Sequence, residues 1–381
     1  MKIALLTDGI TPFVTGGMQR HSFNLANHLL KAGHEVTLVH CVYGGARLPK
    51  KEEVKSLFED ASRLTVHTFR FPSIGQMPGH YIRESYQYSR EIVDVLEKEW
   101  NLFDVVIAKG FSAWHLIELK RKNKIQVGPI AVNFHGVEMF QPAANWRERF
   151  KSYLLKGPTK WNLTNADFCI SYGGEITTIH KKLGIPDSKI IEIPSGIDES
   201  WISKTHIQSA VPKFLFIGRY ERRKGIEELT EVLKKNKELH VEFIGNIPHT
   251  KRLKRDNIIY WGEIKDKQEL QNRIDQCDVI VAPSYSEGMP NVLLEAMGRG
   301  LIPVATHVGA VSVLVSEKEG LLIEPGNPES LSKALITLQQ LSKSERQVFT
   351  ESTLHKVRES FLWEKIILQT EKAIHYMLEN E

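Results

Sequence analysis

At 381 residues the chain is longer than one hydrophobic core usually fills, which predicts two domains. Its composition, 41% hydrophobic and 25% charged, is that of a globular protein and excludes a disordered chain. A net charge of +4 is too small to steer the whole molecule to nucleic acid, and no apolar run is long enough to span a bilayer.

The chain opens on a short apolar run, residues 2–7, too brief for a signal peptide and read as a first buried strand. A loop containing Gly and Pro follows, then a helical pattern over 18–32 that Gly33 ends as a C′ glycine does. Strand-like runs continue at 35–40, 64–69, 105–108, 130–134, 168–171 and 190–193. Apolar strands in this rhythm, separated by helices, predict parallel βαβ units in a doubly wound sheet. Cys41, Cys169 and Cys277 form no C-x-x-C pair and lie in or beside apolar runs. They are read as buried free thiols in a reducing, cytoplasmic compartment.

The pattern lapses into a polar stretch at 198–212, read as the interdomain connection. A second series follows at 214–217, 241–244, 258–260, 279–282, 303–305 and 321–323, predicting a second doubly wound domain over 199–361. The final helical pattern, about 362–378, carries a stripe of Ile366, Ile367, Thr370, Ala373, Ile374 and Met377. The predicted class is therefore α/β, two Rossmann-like halves (1–198 and 199–361) with a ligand in the cleft between them.

Four clusters fall on loops that follow strands. Gly16-Gly17 precedes the first helix, where close backbone approach and the helix terminus suit an anion; a plain turn is the alternative. The run is neither G-x-G-x-x-G nor a P-loop, which removes the main support for a nicotinamide dehydrogenase or a P-loop NTPase. His135-Gly136 ends a strand, and the histidine is either structural or a donor to a sugar hydroxyl. In the second half, Gly218-Arg219 and Lys224-Gly225 place a planar fork and a compact cation beside a helix start. Arg222 and Arg223, between them, are read as solvated surface charges. The fourth cluster runs from Glu287, through Gly288-Met289-Pro290-Asn291, to Glu295 on the following helix. Glu295 sits amid Val292, Leu293, Leu294, Ala296 and Met297, where a carboxylate needs a polar partner.

In this order the clusters, with Ser195-Gly196-Ile197-Asp198 and the closing Phe361-Leu362-Trp363-Glu364, resemble glycosyltransferase family 4 over nearly the whole chain. That family comprises retaining enzymes of the GT-B fold, and the resemblance implies a last helix (362–381) crossing back onto the first domain. It implies that Arg219 and Lys224 neutralise a donor diphosphate, with Gly16 and the Gly17 amide assisting from the first domain. Glu287 would hold donor-sugar hydroxyls, with His135 near the same sugar. Gly288, Met289, Pro290 and Asn291 would contact sugar and phosphate, and Glu295 would take the ribose hydroxyls. Gly262 and Ile264 lie in a loop resembling the one that frames the nucleobase. Ser195 stands where the motif often has Asn, and nothing is transferred to it.

The chemistry agrees with the resemblance. Transfer needs charge stabilisation on the departing nucleoside diphosphate as the anomeric carbon becomes oxocarbenium-like. Two cations can supply it without a metal, and the chain contains no D-x-D triplet. The expected donor is a UDP- or GDP-type sugar, bound with no other cofactor and no metal. The expected acceptor is a glycan, a lipid-linked sugar or a small molecule, in polysaccharide or glycolipid synthesis. Trp146-Arg147-Glu148-Arg149-Phe150-Lys151-Ser152-Tyr153-Leu154-Leu155-Lys156 interleaves aromatic and basic residues at helical spacing. It is either a helix packed on the sheet or a peripheral contact with an anionic membrane at its inner face. Nucleic acid is not an expected partner. A GT-B-like nucleotide-sugar epimerase and a non-enzymatic sugar-binding protein are the alternatives; products formed from a nucleotide sugar alone separate the epimerase from a transferase.

Overall fold

The computed structural model describes every residue except Gln76 and Pro78, and describes Lys151 without its side chain. The chain divides into two compact units: Met1–Val137, Lys151–Ser195 and Trp363–Glu381 in the first; Glu138–Phe150 and Gly196–Leu362 in the second.

The first unit holds a seven-stranded parallel sheet in the order β3-β2-β1-β4-β5-β6-β7. Its strands are β1 (Lys2–Leu6), β2 (Glu35–Val42), β3 (Leu64–Arg70), β4 (Val105–Lys109), β5 (Ile130–Asn133), β6 (Phe168–Ser171) and β7 (Ile190–Glu192). Each coincides with a predicted run; β1, β2, β4, β5 and β6 are buried along nearly their whole length, which leaves a near-continuous apolar signature, while the edge strands β3 and β7 are half-buried. The strand order reverses between β1 and β4, so the loops after these two strands open at a topological switch point. The last helix, Trp363–Glu379, packs its predicted stripe into this unit's core with Ile3, Leu25 and Leu29. Cys41 and Cys169 are buried free thiols here, and Cys277 is another in the second unit.

The second unit holds a six-stranded parallel sheet, β10-β9-β8-β11-β12-β13. Its strands are β8 (Lys213–Ile217), β9 (His240–Ile244), β10 (Ile258–Gly262), β11 (Val279–Ala282), β12 (Ile302–Thr306) and β13 (Leu321–Ile323). The switch point here lies between β8 and β11.

The polar stretch 198–212, read as a connection, is instead a packed edge of the second unit. Trp201 and Gln208 are buried, Asp278 Oδ1 accepts from the Ser209 amide at 2.6 Å, and Arg346 donates to the Ser209 carbonyl at 2.6 Å. It is held through its backbone and the buried Gln208, whose amide donates to Thr350 at 2.9 Å, while Glu199, Ser200, Lys204 and Thr205 stay exposed and give the stretch its polar look. The division also assigns residues 138–150, which lie within the first half of the sequence, to the second unit.

Candidate active site

In the second unit the switch point brings the loop after β8 against the loop after β11. Gly225, with φ +68, starts the helix Ile226–Lys235, and a Cβ on it would lie 1.9 Å from the Pro283 carbonyl oxygen. Only a glycine lets the two loops touch at this point. The Tyr285 amide donates to the Arg223 carbonyl at 2.7 Å, continuing the seam.

Along that seam Lys224 Nζ lies 2.6 Å from Glu287 Oε1. Arg223 Nη1 stands 3.9 Å from the other carboxylate oxygen of Glu287, and its Nε pairs with Glu221 at 3.0 Å. Burial pushes the Glu287 carboxyl up, but Lys224, Arg223 and a hydrogen bond from Ser284 outweigh it. The group therefore titrates below the ordinary carboxylate value. Lys224 and Glu287 thus meet directly. Arg219 does not join them: its side chain is 74% exposed, and its Nε bonds Glu221 at 3.0 Å. It reaches from the same loop into solvent, where a phosphate can compete for it.

Arg222 is not the solvated charge expected from sequence. It forms a two-pronged pair with Glu228 at 2.8 and 2.5 Å, and its guanidinium covers the Tyr285 ring at 4.9 Å. The Tyr285 hydroxyl closes the network on Glu228 at 2.6 Å. Arg222 therefore fastens the loop base. Arg223 is half-buried in its own pairing.

Gly288, Met289 and Pro290 carry the chain to the helix Asn291–Gly298, which begins at Asn291, one residue beyond the proline. The Ala310 amide donates to the Gly288 carbonyl at 2.9 Å, holding the turn from below. Glu295 is only 5% exposed on this helix. Gly262 ends β10 with φ +78, and its carbonyl accepts from the Gly245 amide at 2.7 Å. Ile264 follows, half-buried. Beside them Arg273 stacks 3.5 Å over Trp261, whose indole donates to Glu242 at 2.6 Å.

In the first unit Gly16 directly precedes the helix Gly17–Lys31, so the Gly17 amide opens its N-terminus. His135 follows β5 in a left-handed conformation, φ 53, fixed by its amide donating to Asn133 Oδ1 at 2.8 Å. Its Nδ1 meets the Tyr172 hydroxyl at 2.6 Å, while the buried Nε2 has no partner among the described residues. Burial, reinforced by Lys109, holds this imidazole well below its usual pKa, so it is neutral at pH 7.

Sequence reasoning missed Asp8, His21 and Lys109. Leu6 pairs Ala108 across the first switch point, which sets the residues after β1 beside the end of β4. Lys109 is 1% exposed, and burial lowers it to about 7 against the attraction of Asp8. Asp8 is raised to about 6, mainly by burial. His21, Lys109, Asn133, Tyr172 and Trp363 line one pocket of this unit. The available signal was a lysine closing the apolar strand Val105–Lys109 at the switch point.

Among the described residues no group of three or more His, Cys, Asp and Glu is arranged to hold a metal ion. Among them, too, no helix is long and apolar enough to cross a membrane.

Two parallel Rossmann-like sheets with these strand orders match the GT-B fold, and solved structures agree. Sucrose-phosphate synthase from Thermosynechococcus elongatus aligns over 100% of both chains with a TM-score of 0.76 at 18% identity. HepE of Anabaena, solved in complex with UDP and glucose, aligns over 98% of this chain and 99% of its own with a TM-score of 0.70 at 15% identity. Residues 15–201 match Glycosyltransferase Family 4, and residues 211–340 match Glycosyl transferases group 1. The two matches together make the chain a GT-B glycosyltransferase, with a family 4 domain ahead of a group 1 domain, and neither supports the epimerase alternative. A relative named for teichuronic acid biosynthesis, TuaC of Bacillus subtilis (strain 168), is 34% identical over 122 residues. That match spans 32% of this chain and 31% of TuaC.

Proposed function

We propose that this glycosyltransferase takes a hexose from a UDP- or GDP-type sugar, without a metal, and passes it with retention to a glycan or lipid-linked acceptor in cell-surface polysaccharide synthesis. The observation that carries the reading is the Lys224–Glu287 pair at 2.6 Å, a cation and a buried carboxylate set side by side at the β8/β11 switch point. A sugar diphosphate offers phosphate oxygens to a cation and hydroxyls to a carboxylate, the two kinds of group this pair provides. Lys224 and the exposed Arg219 neutralise the departing diphosphate, and Glu287 accepts from the sugar hydroxyls. Backbone groups of Gly288, Met289, Pro290 and Asn291 line the sugar and its phosphate. Glu295 takes the ribose hydroxyls, and Gly262 and Ile264 border the base. In the first unit Gly16 and the Gly17 amide serve as a phosphate contact, and His135 meets a sugar hydroxyl through Nε2. The UDP and glucose bound to HepE and the biosynthetic name of TuaC support the donor class and the pathway type.

The helix Trp146–Asn165 supports an acceptor reached at a membrane. Trp146, Phe150, Tyr153 and Leu154 are 74%, 67%, 67% and 41% exposed at i, i+4, i+7 and i+8, with Arg147, Arg149 and Lys156 alongside. The side chain of Lys151 lies outside the described residues. An apolar stripe open to solvent and flanked by cations suits the anionic inner face of a cytoplasmic membrane.

A thermal-shift panel of UDP, GDP, ADP and their sugars in excess chelator tests the reading. One nucleotide should stabilise the protein by roughly 2.7 kcal/mol at a hundredfold excess over its Kd. No stabilisation by any of them, or stabilisation that requires a divalent ion, would overturn it. Lys224→Ala and Arg219→Ala should each lower turnover more than donor binding, because their charge matters most as the diphosphate leaves.

A further inference from the structure

Between β11 and the helix Asn291–Gly298 the Glu287 peptide belongs to no strand or helix. It is nevertheless held by two neighbours. Gly309 packs so closely that a Cβ there would lie 2.1 Å from the Glu287 carbonyl oxygen. The second is Gln141, from the segment 138–150 that belongs to the same unit. Gln141 Nε2 donates to the Glu287 carbonyl at 2.6 Å, and Gln141 Oε1 accepts from the Glu287 amide at 3.3 Å. The side-chain amide thereby imitates one rung of a β-ladder, satisfying donor and acceptor of a single peptide at once. The Gln141 backbone is itself anchored, its amide donating to the Glu138 carbonyl at 3.1 Å.

We propose that Gln141 is a positioning residue for Glu287: its amide clasps the Glu287 peptide and so fixes the carboxylate against Lys224. The chemistry is specific to a primary amide. A glutamate at 141 would offer acceptors only and place a second carboxylate beside Glu287, and a leucine would offer neither hydrogen bond. The inference rests on Glu287 holding the donor sugar, so the test separates the two ideas.

Hydrogen exchange of the full-length protein, free of ligand, reads the clasp directly. Gln141→Leu should speed exchange of the Glu287 amide roughly 5- to 150-fold, as expected for losing two neutral hydrogen bonds, with β8 and β11 protected as before. Unchanged protection of that amide overturns the proposal. Loss of protection throughout the unit also overturns it, because the residue would then be a general support of the fold.

The second measurement is the ratio of Kd for UDP to Kd for UDP-glucose in wild type, Gln141→Leu and Glu287→Gln. Positioning requires that Gln141→Leu weaken UDP-glucose while leaving UDP unchanged; equal weakening of both contradicts it. If Gln141→Leu frees the amide but Glu287→Gln leaves the ratio untouched, the clasp stands and the sugar-binding role of Glu287 falls.

Discussion

Lys224→Met should invert the way the second unit's stability depends on pH. The paired side chains are 21% and 10% exposed, so removing the ammonium leaves a nearly buried carboxylate without its main partner. Breaking such a pair costs roughly 3–5 kcal/mol. Arg223, 3.9 Å from the second oxygen, retains part of the compensation. The expected loss at pH 8 is therefore about 2–3 kcal/mol, a fall of roughly 5–10 °C in Tm for a unit of this size. In the wild type the folded pKa of Glu287 is depressed, so its contribution is present above the unfolded value, near ~4.3, and is lost as pH falls through the folded value. In Lys224→Met burial dominates and raises that folded pKa above the unfolded one. Stability is then fully present below the unfolded value and is lost as pH rises through the raised one. Calorimetric scans from pH 4 to 8 should show the two proteins converging at the acid end and separating toward neutrality. Lys224→Met/Glu287→Gln should recover most of the loss at pH 8, because no buried charge is left alone. An equal deficit at pH 4 and pH 8, or a double variant no better than the single one, would refute the reasoning.

Gly225→Ala should cost more than about 2 kcal/mol in urea denaturation, since φ +68 strains any side chain and its Cβ meets the Pro283 carbonyl. Gly44→Ala, at φ +58 with open space around it, should cost only about 1 kcal/mol and serves as the control. Asp8→Asn with Lys109→Met replaces the buried Lys109 and the half-buried Asp8 that attracts it by neutral groups of similar size and should stabilise by roughly 1–2 kcal/mol at pH 7. Because the folded pKa of Lys109, about 7, lies below its unfolded value, wild-type stability rises from there toward pH 10, and thermal scans should show the gap narrowing. Trp146→Ser with Phe150→Ser should abolish sedimentation with phosphatidylserine vesicles at low salt while Tm stays unchanged, as both side chains are exposed.

The loop pair at the second switch point shows how much of the site could be read in advance. Gly218-Arg219, Lys224-Gly225 and Glu287 through Glu295 were legible in advance as a candidate anion site by residue type, because helix starts and strand ends have local signatures. What those residues do to one another was hidden. Lys224 and Glu287 are 63 positions apart, and their contact follows from β8 lying next to β11. Arg222 looked like an exposed charge because nothing in its neighbourhood reveals the Tyr285 ring that covers it. Lys109 was passed over for the converse reason: one lysine at the end of an apolar strand is an ordinary sight until Asp8 is found beside it.

The order of apolar runs, the Gly and Pro punctuation and the stripe of the last helix were fixed by the sequence alone, since each depends on neighbours within a turn or a strand. The partners of buried charges and buried peptide groups were decided only in three dimensions: Lys224 with Glu287, Arg222 with Glu228, Gln141 with the Glu287 peptide. A charge may sit anywhere on a polar surface, but once buried it must meet its complement, and strand order determines which distant residue that is.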